Sequence, residues 1–525
     1  MSGLVGALLH PNPKTSLIIG LGTGSTAGWM AKVREMESVD VIEIESAILE
    51  VAKQCAPVNQ DVLSNPKVKV HIDDAREVLL STPRSYDIIF SEPSNPYRAG
   101  IASLFTQDFY RSAASRLNPG GLFIQWVQMY EIDEQALRTA YATVASVFPS
   151  LETWMTQSGD IILIASMQPV PMDAAHLRQR ITLEPFRTAL ACAWGVDQLQ
   201  GVLSRYLANN AFTRAVTATD APISTDDHNH LEFGLARTVG KRFSQPLITE
   251  LRGHVRMMNW HRPQHLTGEI DWTSADRQSL LSNMVKGIES PAPFDVSGET
   301  RAAWNFLNLA GNGDYAAAVK LWRAHSMQPA NLFELQEIAL CMAHLGDPEA
   351  LGFIEKLKIT APSSAQGLLA RHAFQRKDYG QASKALETAL HGWKTDPWVS
   401  NKILEQSILL AHDIVNQSDS TEIKQALFEA MAKPLAVHMA DSLRKDTRVR
   451  LAIQLPQNVR LQKLAKALGD YGKHFPWTNN IVVRRHSALR SQNDPLADQA
   501  EQDLRNFLNR EQQSFESGMS PQPHP

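Results

Sequence analysis

The chain of 525 residues is long enough for two to four domains. Hydrophobic residues make up 43% of it and charged residues 20%, an ordinary globular composition that excludes extensive disorder. A net charge of −4 without any block of like charge gives no sign of a nucleic-acid partner.

The three cysteines, Cys55, Cys192 and Cys341, lie far apart and form no CxxC pair. This spacing argues against a disulfide framework or a cysteine zinc site and suits a reducing compartment. No apolar run approaches the roughly 18–20 residues that span a bilayer. The start, MSGLVGALLHPNPK, lacks the basic segment of a signal peptide. We therefore expect a soluble, cytoplasmic protein.

Residues 14–166 alternate strand-like and helix-like segments. The predicted strands are 16–20, 39–45, 67–73, 86–92 and 121–127, and the helices after them are 26–36, 46–54, 75–81, 104–117 and 133–148. Two further strands, 151–157 and 160–166, would close the sheet as a hairpin. Strands separated by helices predict a parallel sheet. We therefore expect an α/β protein with the Rossmann fold of class I methyltransferases, whose ligands bind beyond the carboxyl ends of the strands.

The rest of the chain reads as mostly helical. The predicted organisation is a nucleoside-binding domain at 1–240, a connector at 241–295, helical repeats at 296–400, a further helical region at 401–515 and a disordered tail at 516–525.

The repeats are indicated by two series of residues with similar spacing. Asp314, Asp347 and Asp378 each open a helix-like segment at intervals of 33 and 31, and prolines follow at Pro329, Pro362 and Pro397. A period near 34 is typical of tetratricopeptide repeats, which form all-α domains and bind protein partners. An unrelated helical bundle with chance spacing is the alternative.

The strongest local motif is the glycine-rich loop Gly20-Leu21-Gly22-Thr23-Gly24, which follows a strand and precedes a helix. Glycines allow close approach to a ligand, and the helix start adds free N–H groups. Glu43 ends the second strand at the offset of a ribose-binding acid, and Asp74 follows the third strand, where it can accept from an adenine amine. Together these residues predict nucleoside binding. A sheet that has lost its ligand is the alternative.

Later segments carry a family resemblance. They are HPNPK at 10–14, Glu43-Ile44-Glu45, Asp74-Ala75-Arg76, SEPSNP at 91–96, LFTQDFY at 104–110 and LNPGGLFIQW at 117–126. Residues 8–166 resemble the spermidine synthase (polyamine aminopropyltransferase) family. Thr225-Asp226-Asp227 and Leu231-Glu232-Phe233 extend the resemblance to about residue 237. It is closest to a bacterial branch often fused to a membrane transporter-like domain, so a membrane-associated partner is one expectation.

The resemblance implies roles for individual residues. The expected cofactor-binding residues are Gly20, Gly22, Thr23, Gly24, Glu43, Asp74 and Ala75. The catalytic candidates are Glu92, which would contact and help deprotonate the attacking amine, and Asn95. Decarboxylated S-adenosylmethionine (AdoMet) or AdoMet is the implied co-substrate, with a small amine acceptor and no metal. Family members are commonly oligomers.

Two positions depart from the family pattern, because Thr23 and Asn95 stand where the family has acids. An ammonium group left without a negative partner costs several kcal/mol. Putrescine and the decarboxylated donor are therefore both in question, and a neutral Thr23 would better tolerate the carboxylate of intact AdoMet.

The substrate-binding candidates are Tyr97, Tyr130, Asp226 and Asp227, although tyrosines at such places also serve as packing and aspartates as caps. Members of the family carry a small N-terminal β domain that contacts the substrates, whereas this chain starts almost at HPNPK. We expect that a partner or the C-terminal half completes the pocket, or that the gene was cut from a longer fused ancestor. The apolar residues 3–10 would fit the remnant of such a junction.

Three functions stay open. The first is aminopropyl transfer from the decarboxylated donor. The second is AdoMet-dependent methyl transfer, which Thr23 and Asn95 motivate. The third is a non-catalytic scaffold that acts through its helical repeats.

Overall fold

The computed structural model describes residues 1–94, 100–157, 159–238, 247–281, 296–472 and 475–516. The chain divides into two compact units. One comprises Met1–Asn312 with Ala324–Glu334, and the other comprises Gly313–Arg323 with Leu335–Pro525.

The first unit is built on a sheet of eight strands. In chain order the strands of this unit are β1 (Thr15–Ile19), β2 (Ser38–Glu43), β3 (Val68–Ile72), β4 (Tyr86–Ser91), β5 (Leu117–Gln128), β6 (Ser150–Gln157), β7 (Asp160–Ser166), β8 (Met172–Asp173), β9 (Tyr206–Ala208) and β10 (Leu266–Thr267). The sheet order is β3-β2-β1-β4-β5-β7-β6-β9, and β8 pairs separately with β10. Strands β1 to β5 run parallel, and β7 is antiparallel to both β5 and β6. The predicted methyltransferase-like Rossmann fold is confirmed.

Helices accompany the strands in the first unit. They are α1 (Ser2–Leu9), α2 (Ser25–Ala31), α3 (Ile48–Gln54), α4 (Ala75–Ser81), α5 (Gln107–Ala114), α6 (Glu134–Ala145), α7 (Ala174–Ile181), α8 (Phe186–Trp194), α9 (Leu199–Leu203), α10 (Asn210–Thr217), α11 (Gly234–Thr238), α12 (Leu247–Met257), α13 (Trp272–Leu281) and α14 (Gly298–Gly311). Short 3₁₀ turns lie at Val62–Ser64 and Ile101–Phe105.

Residues 3–9 of helix α1 are all buried, and their origin as a junction remnant stays a prediction. It packs against α2 and α7. Gly3 and Gly6 allow the close approach, since a Cβ atom on Gly3 would lie 2.6 Å from Thr26 Cγ2 and one on Gly6 would lie 2.3 Å from Ile124 Cδ1. The Arg180 guanidinium donates to the Ala7 carbonyl at 2.7 Å and so satisfies the end of the helix. Residues 3–10 therefore form part of the core.

The edge of the sheet differs from the prediction made from the sequence. The sequence predicts that the hairpin of β6 and β7 closes it, but β9 adds an eighth strand antiparallel to β6. The described part of the predicted connector covers this edge. Helix α12 contacts β9, and the backbone N–H of Asn209 donates to the Trp260 carbonyl at 2.9 Å.

The later part of the chain is entirely helical within the described residues. Its helices are α15 (Tyr315–Ala324), α16 (Leu332–Leu345), α17 (Ala350–Leu357), α18 (Pro362–Gln375), α19 (Tyr379–Gly392), α20 (Asn401–Gln417), α21 (Thr421–Ala430), α22 (Asp441–Ile453), α23 (Gln457–Gly469), α24 (Asn479–Ser491) and α25 (Ala497–Glu516), with a 3₁₀ turn at His438–Ala440. Of the helices in the described ranges, none is long and apolar enough to cross a bilayer.

Two of the three spaced aspartates cap the start of a helix. The carboxylates of Asp314 and Asp378 accept from the backbone N–H groups of Ala317 and Gln381, at 3.1 and 2.9 Å. Asp347 instead accepts from the N–H of Glu349 at 3.0 Å, in the turn before α17. Within the second unit α18 packs on both α19 and α20, and α19 packs on α21. This pattern is that of stacked helix pairs, while the tetratricopeptide assignment stays a prediction. The predicted tail falls mostly outside the described residues.

We expect Gly28 to be irreplaceable by alanine. A Cβ atom there would lie 1.7 Å from the Asn59 carbonyl oxygen, a backbone atom that no side-chain rotation can move. Gly28→Ala should therefore lower the free energy of unfolding by at least about 2 kcal/mol, as measured by urea titration. Gly253 of α12 has open space around it, so Gly253→Ala is the matched control and should be neutral or stabilising by up to about 1 kcal/mol.

Candidate functional site

Backbone hydrogen bonds align the carboxyl ends of four neighbouring strands. The N–H of Gly20 donates to the Ile42 carbonyl at 2.9 Å, and the N–H of Glu92 donates to the Ile19 carbonyl at 3.0 Å. The N–H of Asp73 donates to the Glu43 carbonyl, also at 3.0 Å. The residues that follow β3, β2, β1 and β4 therefore stand side by side at one edge of the sheet.

These residues line a cavity of about 430 Å³. Six of the residues predicted from the sequence lie in its wall, namely Gly20, Gly22, Glu43, Asp74, Ala75 and Glu92. The sequence analysis missed further wall residues, among them Ile44, Glu45, Ile48, Asp73, Ile101 and Leu104. The volume falls in the range of small-molecule sites, and the wall combines an apolar part with a strongly acidic one.

The glycine-rich loop is shaped by close backbone approach. Gly20 has φ +95°, and a Cβ atom there would lie 2.7 Å from the Glu92 carbonyl oxygen. Asn59 is fully buried and donates to the Thr23 carbonyl at 2.8 Å, which fixes the far side of the loop. The Thr23 hydroxyl lies 3.0 Å from the Ser25 hydroxyl, and Gly24 precedes α2 with φ +77°. Thr23 and Gly24 thus shape the loop without being among the described residues that line the cavity.

Glu43 is held rigidly at the end of β2. It is 9% exposed, and its two carboxylate oxygens accept from the N–H groups of Leu21 and Glu45 at 2.9 and 3.0 Å. Each oxygen can accept a second bond. The carboxylate is thereby fixed between the glycine-rich loop and the cavity, with capacity left for ligand hydroxyls.

Asp74 has a local task as well as a place in the wall. It is the N-cap of α4, and its Oδ1 accepts from the Arg76 N–H at 2.7 Å. Its own N–H donates to Asp73 Oδ1 at 2.8 Å. The cap orients the carboxylate and leaves Oδ2 for another partner.

Burial disfavours the charged form of Glu92. Burial raises its pKa above the ordinary value of 4.5, while a hydrogen bond from Thr26 opposes that rise. The Thr26 hydroxyl donates to Glu92 Oε2 at 2.6 Å. No sequence signal pointed to Thr26, because the two residues are 66 positions apart.

Asp226 contacts Arg76, which the sequence analysis did not foresee. The Arg76 guanidinium binds both carboxylate oxygens of Asp226 and also donates to the Ser103 carbonyl at 2.8 Å. The Thr106 hydroxyl donates to Asp226 Oδ1 at 2.8 Å. The Arg76 hydrogen bond lowers the pKa of Asp226. The late aspartate thus ties the segment around residue 225 to Ser103, a wall residue of the cavity.

The remaining candidates lie elsewhere. Tyr130 is 46% exposed, Asp227 is exposed, and neither they nor Asp226 are among the described wall residues. Asn95 and Tyr97 lie outside the described residues. Their roles toward a substrate stay predictions. Within the described ranges, no group of three or more His, Cys, Asp or Glu is placed to hold a metal ion.

The N-terminal part of the chain is similar to known proteins. Residues 2–158 match the family described as "Spermine/spermidine synthase domain". A polyamine aminopropyltransferase of Streptococcus pneumoniae is 29% identical over 143 residues, which cover 27% of this chain and 50% of the relative. That of Thermococcus onnurineus is 30% identical over 142 residues, with the same two coverages. A thermospermine synthase of Arabidopsis thaliana is 28% identical over 162 residues, covering 28% of this chain and 48% of the relative.

The chain thus spans about half the length of the curated relatives that it matches. Among solved structures, a spermidine synthase in complex with the transition state analogue AdoDATO is 18% identical with a TM-score of 0.31, covering 48% of this chain and 73% of its own. The N-terminal part of this chain is therefore similar to the spermine/spermidine synthase domain, and the family match ends at residue 158.

The raised pKa of Glu92 predicts a pH-dependent loss of stability. Because the folded protein binds this proton more tightly than the unfolded chain does, stability falls as the pH rises from 4.5 through the folded pKa. Glu92→Gln removes the charged form. At pH 8 it should exceed the wild type in unfolding free energy by about 1–3 kcal/mol, and by less at pH 5, in urea titrations. Glu45→Gln, exposed at the same cavity, should follow the wild type at both pH values.

The contact between Arg76 and Asp226 should appear as an energetic coupling. In a double-mutant cycle of Arg76→Ala and Asp226→Asn, we expect a coupling of about 1 kcal/mol in the free energy of unfolding, since the pair is partly exposed. The neighbouring Asp227→Asn serves as the control and should show no coupling with Arg76→Ala. Equal couplings for the two aspartates would contradict the assignment.

Proposed function

We propose that the first unit is an aminopropyltransferase that uses decarboxylated AdoMet as donor and a small amine as acceptor. One observation carries the proposal. All ionisable side chains among the described wall residues of the cavity are carboxylates, namely Glu43, Glu45, Asp73, Asp74 and Glu92.

The charge of the wall favours cationic ligands. The decarboxylated donor carries a sulfonium and an ammonium group, and amine acceptors are also cations, so both are attracted. The phosphates of a dinucleotide would be repelled, and intact AdoMet carries an extra carboxylate that faces the same repulsion. The wall is acidic even though Thr23 is neutral, so it disfavours the carboxylate of intact AdoMet.

The proposed binding mode follows the order of the strands. Glu43 accepts from the ribose hydroxyls with the lone pairs that Leu21 and Glu45 leave open. Asp74 accepts from the adenine amine, and Ile44 and Leu104 give that base apolar walls. Gly20 and Gly22 let the backbone approach the sulfonium end of the donor.

The proposed reaction is a displacement at carbon. Glu92 takes a proton from the attacking ammonium group, and the freed lone pair of that nitrogen attacks the methylene carbon beside the sulfonium. The new C–N bond forms, the C–S bond breaks with its electron pair going to sulfur, and methylthioadenosine leaves while the product nitrogen keeps its remaining protons. Burial brings the pKa of this carboxyl closer to neutral pH, which suits a general base. The alignment of the two substrates supplies the remaining rate acceleration. Asn95 stays a candidate for positioning the amine.

Calorimetric titration of the full chain with decarboxylated AdoMet, AdoMet and methylthioadenosine tests the donor. We expect the decarboxylated donor to bind more tightly than AdoMet. Glu43→Gln should weaken binding about 10- to 100-fold, because a charge-assisted hydrogen bond to the ribose is lost. Glu50→Gln, on the exposed side of α3, is the matched control and should bind as the wild type does.

The product identifies the reaction. Methylthioadenosine formed in the presence of an amine supports aminopropyl transfer. S-adenosylhomocysteine formed from AdoMet would replace the proposal by methyl transfer. Absence of binding by all three nucleosides would leave the scaffold interpretation.

A further inference from the structure

A cluster of arginines surrounds a small cavity at the β9 edge of the sheet. The cavity measures about 20 Å³ and lies where β9, α12 and α13 meet. Its polar wall residues are Tyr206, Arg252, Arg256, His261, Asp276 and Ser279. Such a volume holds one water-sized particle.

Arg252 is buried without a carboxylate. It is 8% exposed, and its guanidinium donates to the carbonyl and the hydroxyl of Ser279, the latter at 3.1 Å. Its Nη1 lies 4.0 Å from the sulfur of Met155. Burial and, to a smaller extent, the nearby Arg256 and Arg205 together lower the pKa of Arg252 to about 10. Its surroundings thus disfavour the positive charge that it carries.

Arg205, which lies near Arg252, is also buried and has a lowered pKa. Its guanidinium lies over the Trp194 ring, 5.5 Å from the centroid, and burial lowers its pKa to about 10. Neither Arg205 nor Arg252 forms an ion pair within the described ranges. Glu152, the buried carboxyl beside Tyr206, has its own pKa raised to about 7 by burial and so supplies no full counter-charge.

The one carboxylate among the described wall residues is already shared. Asp276 lies 3.0 Å from Arg262, 3.5 Å from Arg256 and 3.6 Å from His261. The wall thus presents the guanidinium groups of Arg252 and Arg256 with a single carboxylate, which Arg262 also contacts. Within the described residues, His261 Nδ1 and Arg262 Nε are buried without a hydrogen-bond partner. An uncompensated buried charge costs several kcal/mol, so the excess calls for an anion.

We propose that this cavity binds one small inorganic anion of about the size of chloride. The anion would compensate Arg252 and its neighbours and would hold α12 and α13 against β9. The small volume selects a monatomic anion over phosphate. This site is separate from the nucleoside cavity and serves the attachment of residues 247–281 to the sheet.

Local hydrogen exchange tests the site in the full chain. Peptides from residues 247–281 are compared in sodium chloride and in sodium gluconate at equal ionic strength, since gluconate is too large for the cavity. If local unfolding of residues 247–281 releases the anion, bound chloride opposes that unfolding. At a chloride concentration near ten times its Kd, hydrogen exchange in these peptides should therefore be about tenfold slower than in gluconate. The Kd is taken from the line width of the chloride-35 NMR signal, which bound chloride broadens.

Arg252→Met should abolish both the chloride protection and the line broadening. Replacing a buried charge by an apolar side chain of similar volume is often neutral or stabilising, so this variant is expected to fold. Arg187→Met removes an exposed arginine paired with Glu184 and should keep both effects. Equal exchange in the two salts, chloride effects that survive in Arg252→Met, or stronger protection by phosphate would each overturn the proposal.

Discussion

Five carboxylates facing one cavity impose the constraint on which the site depends. Like charges this close destabilise one another unless donors hold them or burial neutralises them. The chain supplies donors mostly from its backbone, with the amides of Leu21 and Glu45 on Glu43 and the amide of Arg76 on Asp74. These amides are available only because the strand ends are fixed side by side. The fold of the strand ends therefore supplies the donors that stabilise the wall carboxylates. An incoming cation would offset part of their remaining negative charge.

The first part of the fold could be predicted from local patterns alone. Alternating apolar runs and amphipathic segments identified β1 to β7 and the helices between them, because each element carries its own periodicity. The three-residue strand β9 has no room for a period, and its pairing depends on β6, some fifty residues earlier. The packing of helix α1 could not be predicted from its apolar sequence, because it depends on close contacts of Gly3 and Gly6 with Thr26 and Ile124. In the later helices, capping aspartates were recognisable from spacing, but the assignment to a repeat family was not decided by it.

Some residues of the candidate site could likewise be predicted from the sequence, and others could not. Gly20, Glu43 and Asp74 were predictable because each lies at or just after the carboxyl end of a strand, and parallel strands bring their ends together. Glu92 was predicted from the family resemblance. Thr26, Asn59 and Arg76 could not be assigned, since their tasks arise from contacts with residues that the sequence separates by many positions. Asp226 was predicted from its motif as an acid for the substrate, and that role stays a prediction. The contact of both of its oxygens with Arg76 could not be predicted, because 150 positions separate the two residues.

The short strand β9 also bears on how the protein behaves when it is partly unfolded. An outer strand presents unpaired backbone groups that can template association with another chain, and natural proteins protect such edges with short strands or covering helices. Here the strand is only three residues long and α12 lies against it. Detachment of residues 247–281 would expose the strand together with the apolar side of α12, including Ile248 and Leu251. Aggregation during storage or expression should therefore begin with this local opening, well before the central strands separate.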